Sequence, residues 1–197
     1  MVEAKVRDIQ IQPLKSGGSL TLEEARMNLS GLETLNGRIK DHFLVAVSGE
    51  KDGVGDYNFF TQRIQVDQNK GLLVSGTPEL ALVKPRVEGE KLFFDFKGDP
   101  VAVPDMEDDD LSRTLPVQVW EHRGLAVEIP TLSEWLSDSL GRNVKVARTN
   151  GPWNRMSRQN FQKNENPLRA QEGYPIHAVT WEDVVAMFGA IDAKADP

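Results

Sequence analysis

The feature that most constrains this chain is the shortness of its apolar runs. His42–Val47 (HFLVAV) and Asn58–Arg63 (NFFTQR) are typical, and the stretch between them, Ser48-Gly49-Glu50-Lys51-Asp52-Gly53-Val54-Gly55-Asp56, is dense in turn-forming residues. Runs this short do not sustain the 3.6-residue periodicity of a helix, but they suit strands joined by turns. The pair predicts a hairpin with a long loop. Val6, Ile9 and Ile11 lie in a charged, mostly alternating run that predicts a first strand ending at Pro13. Further strands are expected at Gly71–Ser75, Leu80–Val83, Lys91–Phe96 and Pro116–His122. Gly, Pro or Asp clusters separate most of them, the pattern of an antiparallel barrel or sandwich. Thr21–Leu32 reads two ways, because Thr21-Leu-Glu-Glu24 fits a capping box and the same stretch fits an irregular strand.

The last third changes character. Thr131-Leu-Ser-Glu134 is a capping-box pattern that opens a helix with Leu132, Trp135, Leu136 and Leu140 on one face, and Gly141 is its stop signal. Asn143–Arg148 (NVKVAR) alternates like a strand, residues 151–173 read as a long polar loop, and Thr180-Trp-Glu-Asp183 starts a second helix with Val184, Val185, Met187 and Phe188 as its apolar side. The expected fold is mainly β (α+β). An antiparallel β-barrel-like domain is expected over residues 1–130, and a small α/β extension over 131–197, helix–strand–loop–helix, packed on the barrel. Trp120 and Trp135 are expected in the core.

With 197 residues, 39% of them hydrophobic, the chain can build one good core or one domain with a satellite. Its net charge of −7 argues against a general nucleic-acid surface, which needs clustered Lys and Arg. There is no basic amphipathic run and no apolar run near the ~20 residues of a membrane helix. The opening MVEAKVRDIQIQ is neither a signal nor a transit peptide, so a soluble, cytoplasmic protein is expected. The absence of cysteine excludes disulfides, thiolate metal ligands and a cysteine nucleophile within this sequence. His42, His122 and His177 form no HxH or HExxH pattern, and the acidic run Pro104–Asp110 lacks calcium-loop spacing and reads as a solvated connection. No Ser-His-Asp order or carboxylate pair stands out, so the reading leans away from an enzyme.

Lys15-Ser16-Gly17-Gly18-Ser19 is the most suggestive local feature. Lysine brings a compact positive charge, serine a hydroxyl, and paired glycines let backbone N–H groups approach an anion. The alternative is a Gly-Gly turn with an exposed lysine. Arg142, Lys145, Arg148, Arg155, Arg158 and Arg169, with Trp153 and Phe161 interleaved, make a second basic region that reads either as an anion- or partner-binding loop or as a solvated loop.

The order of several short motifs resembles the MOSC N-terminal β-barrel domain. Ile9-Gln-Ile-Gln-Pro-Leu-Lys-Ser16 looks like its opening "YPVKS" strand, Gly31-Leu32 and Lys40-Asp41-His42-Phe43-Leu44-Val45 like its "GL" and "DR-x-W" segments, and Thr61-Gln62-Arg63 like its "T-x-R" strand. Val119-Trp120-Glu121, Trp135-Leu136 and Gly141-Arg142 are similar to the passage closing that module, and Tyr174–Thr180 to the opening of the MOSC domain proper. The likeness spans roughly residues 4–188 and favours strand for Thr21–Leu32. It implies the molybdenum cofactor (molybdopterin) as ligand, with Lys15 and Ser16 against its phosphate, Gly17 beside them, and Arg63 and His42 at the same barrel mouth. Three departures limit it: His42 stands where the family has arginine, Gln12 replaces its aromatic, and the chain ends soon after the MOSC domain would begin, short of the cysteine that ligates molybdenum. The expectation is a non-catalytic binding or accessory module for a phosphate-bearing small molecule, with a MOSC-type chain as a partner. One half of a split molybdenum-dependent oxidoreductase or sulfurtransferase is an alternative, and a plain protein-interaction barrel another.

Overall fold

The computed structural model describes residues 6–28, 31–51, 55–59, 65–67, 72–74, 77–105, 110–119 and 122–149. Arg63, Trp120, the loop expected at 151–173 and the helix expected from Thr180 lie outside these residues. The chain is mainly β, as expected. Five strands, β5 (Leu44–Lys51), β6 (Tyr57–Phe59), β12 (Thr114–Val119), β13 (His122–Glu128) and β14 (Val144–Thr149), close into a barrel in the order β12-β13-β14-β5-β6. All its ladders are antiparallel except β6 with β12, which closes the barrel in parallel. The expected hairpin across residues 48–56 is present as β5–β6.

Alternation along β5 explains its unbroken apolar sequence. Val45 and Val47 join Val117, Ala126 and Ala147, a cluster contributed by barrel strands alone. Leu44 and Ala46 face the other way, into the main core with Val144, Val146, Leu132 and Leu136. A strand buried on both faces has no polar positions to alternate.

Outside the barrel, the described residues form small hairpins, a three-stranded sheet and one α-helix. β1 (Ile9–Ile11) pairs with β2 (Leu20–Leu22), and β3 (Arg26–Asn28) with β4 (Gly31–Glu33), so the described part of Thr21–Leu32 forms short strands rather than a helix. β7 (Gln65–Asp67) and β8 (Leu72–Val74) form another hairpin. β9 (Lys84–Glu88), β10 (Lys91–Phe96) and β11 (Asp99–Ala102) make a three-stranded sheet that delivers Leu92, Phe94 and Phe96 to the main core. Its β10–β11 turn places Lys97 (φ 55°) and Gly98 (φ 91°) in the left-handed region, the type I′ geometry that matches strand twist.

Two expectations are corrected. Leu80–Val83 is not a strand: a 3₁₀ turn spans Pro78–Leu82, with Leu80 N–H bonded to Thr77 O (3.1 Å) and Val83 N–H to Leu80 O (3.0 Å). Pro78 presets the turn, and Leu80 and Val83 are both buried at the i, i+3 spacing a tight helix offers. The helix α1 (Pro130–Leu140) starts one residue before Thr131, because Pro130 occupies its first turn and Ile129 its cap, so the Thr131–Glu134 capping box does not form. Gly141 ends it at φ 64°, as expected. In the barrel β14 pairs with β13 on one side and β5 on the other.

The helix docks by completing the edge of β14. Val146 N–H donates to Ser133 Oγ (2.9 Å) and Ile129 N–H donates to Val146 O (2.9 Å). Ser137 Oγ likewise accepts from Val144 N–H and donates to Val144 O, both at 3.0 Å. Leu132 and Leu136 are buried beneath it, and Trp135, half-buried against the same core, donates from Nε1 to Asp99 O. Among the described residues no helix is long and apolar enough to cross a membrane.

Candidate functional site

The segment after β1 runs beside the entry to β5 and is bonded to it residue by residue. His42 N–H donates to Gln12 O (2.7 Å), Leu44 N–H to Pro13 O (3.0 Å) and Lys15 N–H to Leu44 O (2.9 Å), a parallel bridge between Leu14 and Leu44. Asp41 Oδ1 accepts from Gln12 N–H at 2.7 Å, so Asp41 is a structural partner. His42 Nε2 meets Gln12 Oε1 at 3.1 Å, and its Nδ1 lies 3.6 Å from Asp41 Oδ2.

Two of the three non-glycine residues with left-handed backbone, Ser16 (φ 64°) and His42 (φ 51°), sit at this corner among the described residues. Gly17 N–H donates to Leu14 O (2.8 Å), closing a turn with Ser16 at its third position, the type II pattern that ordinarily calls for glycine or asparagine there. A left-handed non-glycine residue costs about 1 kcal/mol or more, and such outliers gather at functional sites.

The structure thus brings Lys15, Ser16, Gly17 and His42 together, and Arg63 lies outside the described residues. Two parts of the sequence reading change. Lys15 is not an exposed turn lysine, being only 1% accessible. The glycines do not offer a pair of amides to an anion, because Gly17 N–H is bonded to Leu14 O and Gly18 N–H to Val83 O (both 2.8 Å). Their requirement is close approach: a Cβ would lie 3.0 Å from Leu14 O at Gly17 and 2.7 Å from Val83 O at Gly18.

A separate cleft of about 260 Å³ opens beside Arg148. Sequence reading placed Arg148 in a basic stretch; the structure puts it on β14, 1% accessible, with Nη2 donating to Pro104 O at 2.8 Å. The signal was present in the alternation, since Val144 and Val146, four and two residues earlier, are buried on the same face. Among the described residues no group of three or more His, Asp or Glu is arranged to hold a metal ion.

No protein-family model matches the chain, and no curated protein does. Among solved structures, it is similar to the solution structure of a structural-genomics target protein from Bordetella bronchiseptica, at 14% identity and a TM-score of 0.37, over 62% of this chain and 84% of that one.

Proposed function

We propose that this chain is a non-catalytic binding module of the MOSC N-terminal type, taking a phosphate-bearing small molecule at the corner formed by Lys15 and Ser16. The observation that carries the reading is the burial of Lys15 on a turn tied to β5. An ammonium group removed from bulk water attracts an anion more strongly than one on the surface, because less solvent divides the Coulomb energy. Ser16 adds a hydroxyl donor. His42 is engaged with Gln12 and so positions the corner, and Gly17 supplies close packing. Arg63 enters on the resemblance alone, as a planar contact to the same anion.

The residues present do not fit molybdenum ligation, since the sequence has no cysteine to supply a thiolate. The proposal therefore keeps only the phosphate end of such a cofactor, and assigns any thiolate to a MOSC-type partner chain. A cytoplasmic location belongs to the same reading. A second reading, a plain protein-interaction barrel, is favoured by the commitment of both glycine amides to backbone carbonyls.

Thermal unfolding with inorganic phosphate, sulfate and nucleoside monophosphates tests the proposal. One of the phosphates should raise Tm saturably, an effect worth about 2.7 kcal/mol at a hundredfold excess over Kd. Lys15→Met should abolish the rise relative to its own ligand-free Tm. Ser16→Gly, which tolerates φ 64°, should reduce it. Stabilisation undiminished in both variants sinks the reading.

A further inference from the structure

We infer that Asn36 is a site of spontaneous deamidation which the fold holds in check, so that the reaction proceeds only when its turn opens. Asn36-Gly37 stands at the tip of the loop between Glu33 and Lys40, which are joined by an antiparallel bridge. The chemistry is intramolecular. Gly37 N gives up its proton and attacks Asn36 Cγ. A C–N bond forms, the bond from Cγ to the side-chain nitrogen breaks, and that nitrogen leaves with a proton as ammonia. Water then opens the resulting succinimide at either carbonyl, giving aspartate or isoaspartate. Glycine obstructs the attack least, because it has no Cβ beside the nucleophilic nitrogen. Asn36 is exposed, so water and hydroxide reach it.

The folded turn opposes each requirement of that attack. Gly37 N–H donates to Thr34 O (2.8 Å), so the proton that must leave is engaged. The bond closes a turn in which neither Leu35 nor Asn36 has a positive φ, which makes it type I. Asn36 at its third position then has ψ of about 0°, and ring closure needs a rotation of roughly 120° about its Cα–C bond to bring Gly37 N over Cβ. The side chain is pinned as well. Asn36 Oδ1 accepts from Thr34 Oγ1 (2.7 Å) and from Arg38 N–H (3.1 Å), the second bond forming an Asx turn. The same Thr34 hydroxyl accepts from Ile39 N–H (3.2 Å), which ties the clamp to the base of the loop. The two donors also polarise the Asn36 amide, which alone would hasten attack. Geometry outweighs polarisation, because a nucleophile rotated away from Cγ cannot use it. The two products differ in what they leave. Aspartate keeps an oxygen for Thr34 and Arg38, so the turn re-forms. Isoaspartate adds a methylene to the main chain, which shifts Gly37 off Thr34 O and Leu35 O off Arg26 Nη2.

The test incubates the whole chain at mildly alkaline pH, native and in parallel unfolded by guanidinium chloride. Mass-spectrometric mapping of the segment from Met27 to Arg38 reads conversion at Asn36 separately from the other Asn-Gly step, Asn150-Gly151. Unfolded chain should convert, with isoaspartate appearing beside aspartate. Native chain should convert at least about tenfold more slowly, because only its opened fraction reacts. Thr34→Ala, which takes the hydroxyl from both Asn36 and Ile39, should speed native conversion about fivefold and leave the unfolded rate unchanged. Thr34→Ser keeps the hydroxyl and should stay within about twofold of the parent. A readout on the parent chain needs no variant: exchange of the Gly37 amide requires the same opening, so it should be protected at least about tenfold in the native state. The inference is overturned by equal native and unfolded rates, by an unprotected Gly37 amide, or by aspartate forming without isoaspartate. It is overturned equally if native Thr34→Ala reacts no faster than the parent, which would make polarisation of the amide, not the turn, the governing effect.

Discussion

Gly18 and Gly141 show two reasons for the same residue. At Gly141 nothing lies within 4 Å of an added Cβ, so the only obstacle to a side chain is φ 64°. Gly141→Ala should therefore cost about 1 kcal/mol, the left-handed penalty alone, and Gly141→Asn less. Gly18 is not at positive φ, but its added Cβ would meet the Val83 carbonyl oxygen at 2.7 Å and Pro85 Cδ at 3.2 Å. Neither is the far end of a flexible side chain, so Gly18→Ala should part the two segments and cost about 2 kcal/mol. Denaturant unfolding of both alanine variants checks the order; equal losses would refute the distinction. The difference also marks what sequence could show. The helix stop at Gly141 is a local property and was legible. Gly18 was legible only as a turn residue, because the carbonyl that demands it arrives from a distant 3₁₀ turn, itself first read as a strand.

At the scale of elements, α1 and β14 show how tertiary contacts displaced local signals. The helix and its end were readable from Leu132, Leu136 and Gly141. Its start was not: Pro130 took the first turn and Ile129 the cap, so Thr131 and Glu134 form no capping box, while Ser133 between them faces β14. Ser133 Oγ donates to Ile129 O (3.1 Å) and accepts from Val146 N–H (2.9 Å) in a buried setting. Ser133→Ala removes the acceptor from a buried backbone donor and should cost about 1–3 kcal/mol. Ser137→Ala breaks the equivalent contact to Val144 N–H where Ser137 is only half-buried and water can replace the hydroxyl, so it should cost less, about 1 kcal/mol. Chemical unfolding should rank them in that order, with Ser133→Thr recovering part of the loss by keeping the hydroxyl. The candidate site was legible to a similar degree. Lys15, Ser16, Gly17 and His42 were named from the sequence and do converge, but the chemistry assigned to the glycine amides required knowing that Leu14 O and Val83 O already held them.

Across the whole molecule, the barrel is unevenly sewn. β5 and β14 share a ladder of five residue pairs, from Val144↔Ser48 to Arg148↔Leu44, with β5 buried in both core clusters. Closure depends on β6, which meets β12 through two parallel pairs, Val117↔Tyr57 and Gln118↔Asn58, and meets β5 across a register shift between Val47 and Lys51. Local opening follows the weakest seam, because a segment with few ladder bonds can detach without unfolding the rest. Closure also explains why the barrel was readable in kind but not in strand order: the β6–β12 contact joins segments far apart in the chain, whereas hairpins such as β9–β10 and β10–β11 are set by their own turns. Native-state hydrogen exchange should accordingly find its slowest amides in the shared ladder of β5 and β14, exchanging only by global unfolding. The hydrogen-bonded amides of Tyr57–Phe59 should exchange at least about tenfold faster, an opening some ~1.4 kcal/mol easier. Ligand at the Lys15 corner should slow β5 at its Leu44 end, because Lys15 N–H is bonded to Leu44 O. Equal protection of β6 and β14 would mean that the parallel closure carries as much of the fold as the central ladder.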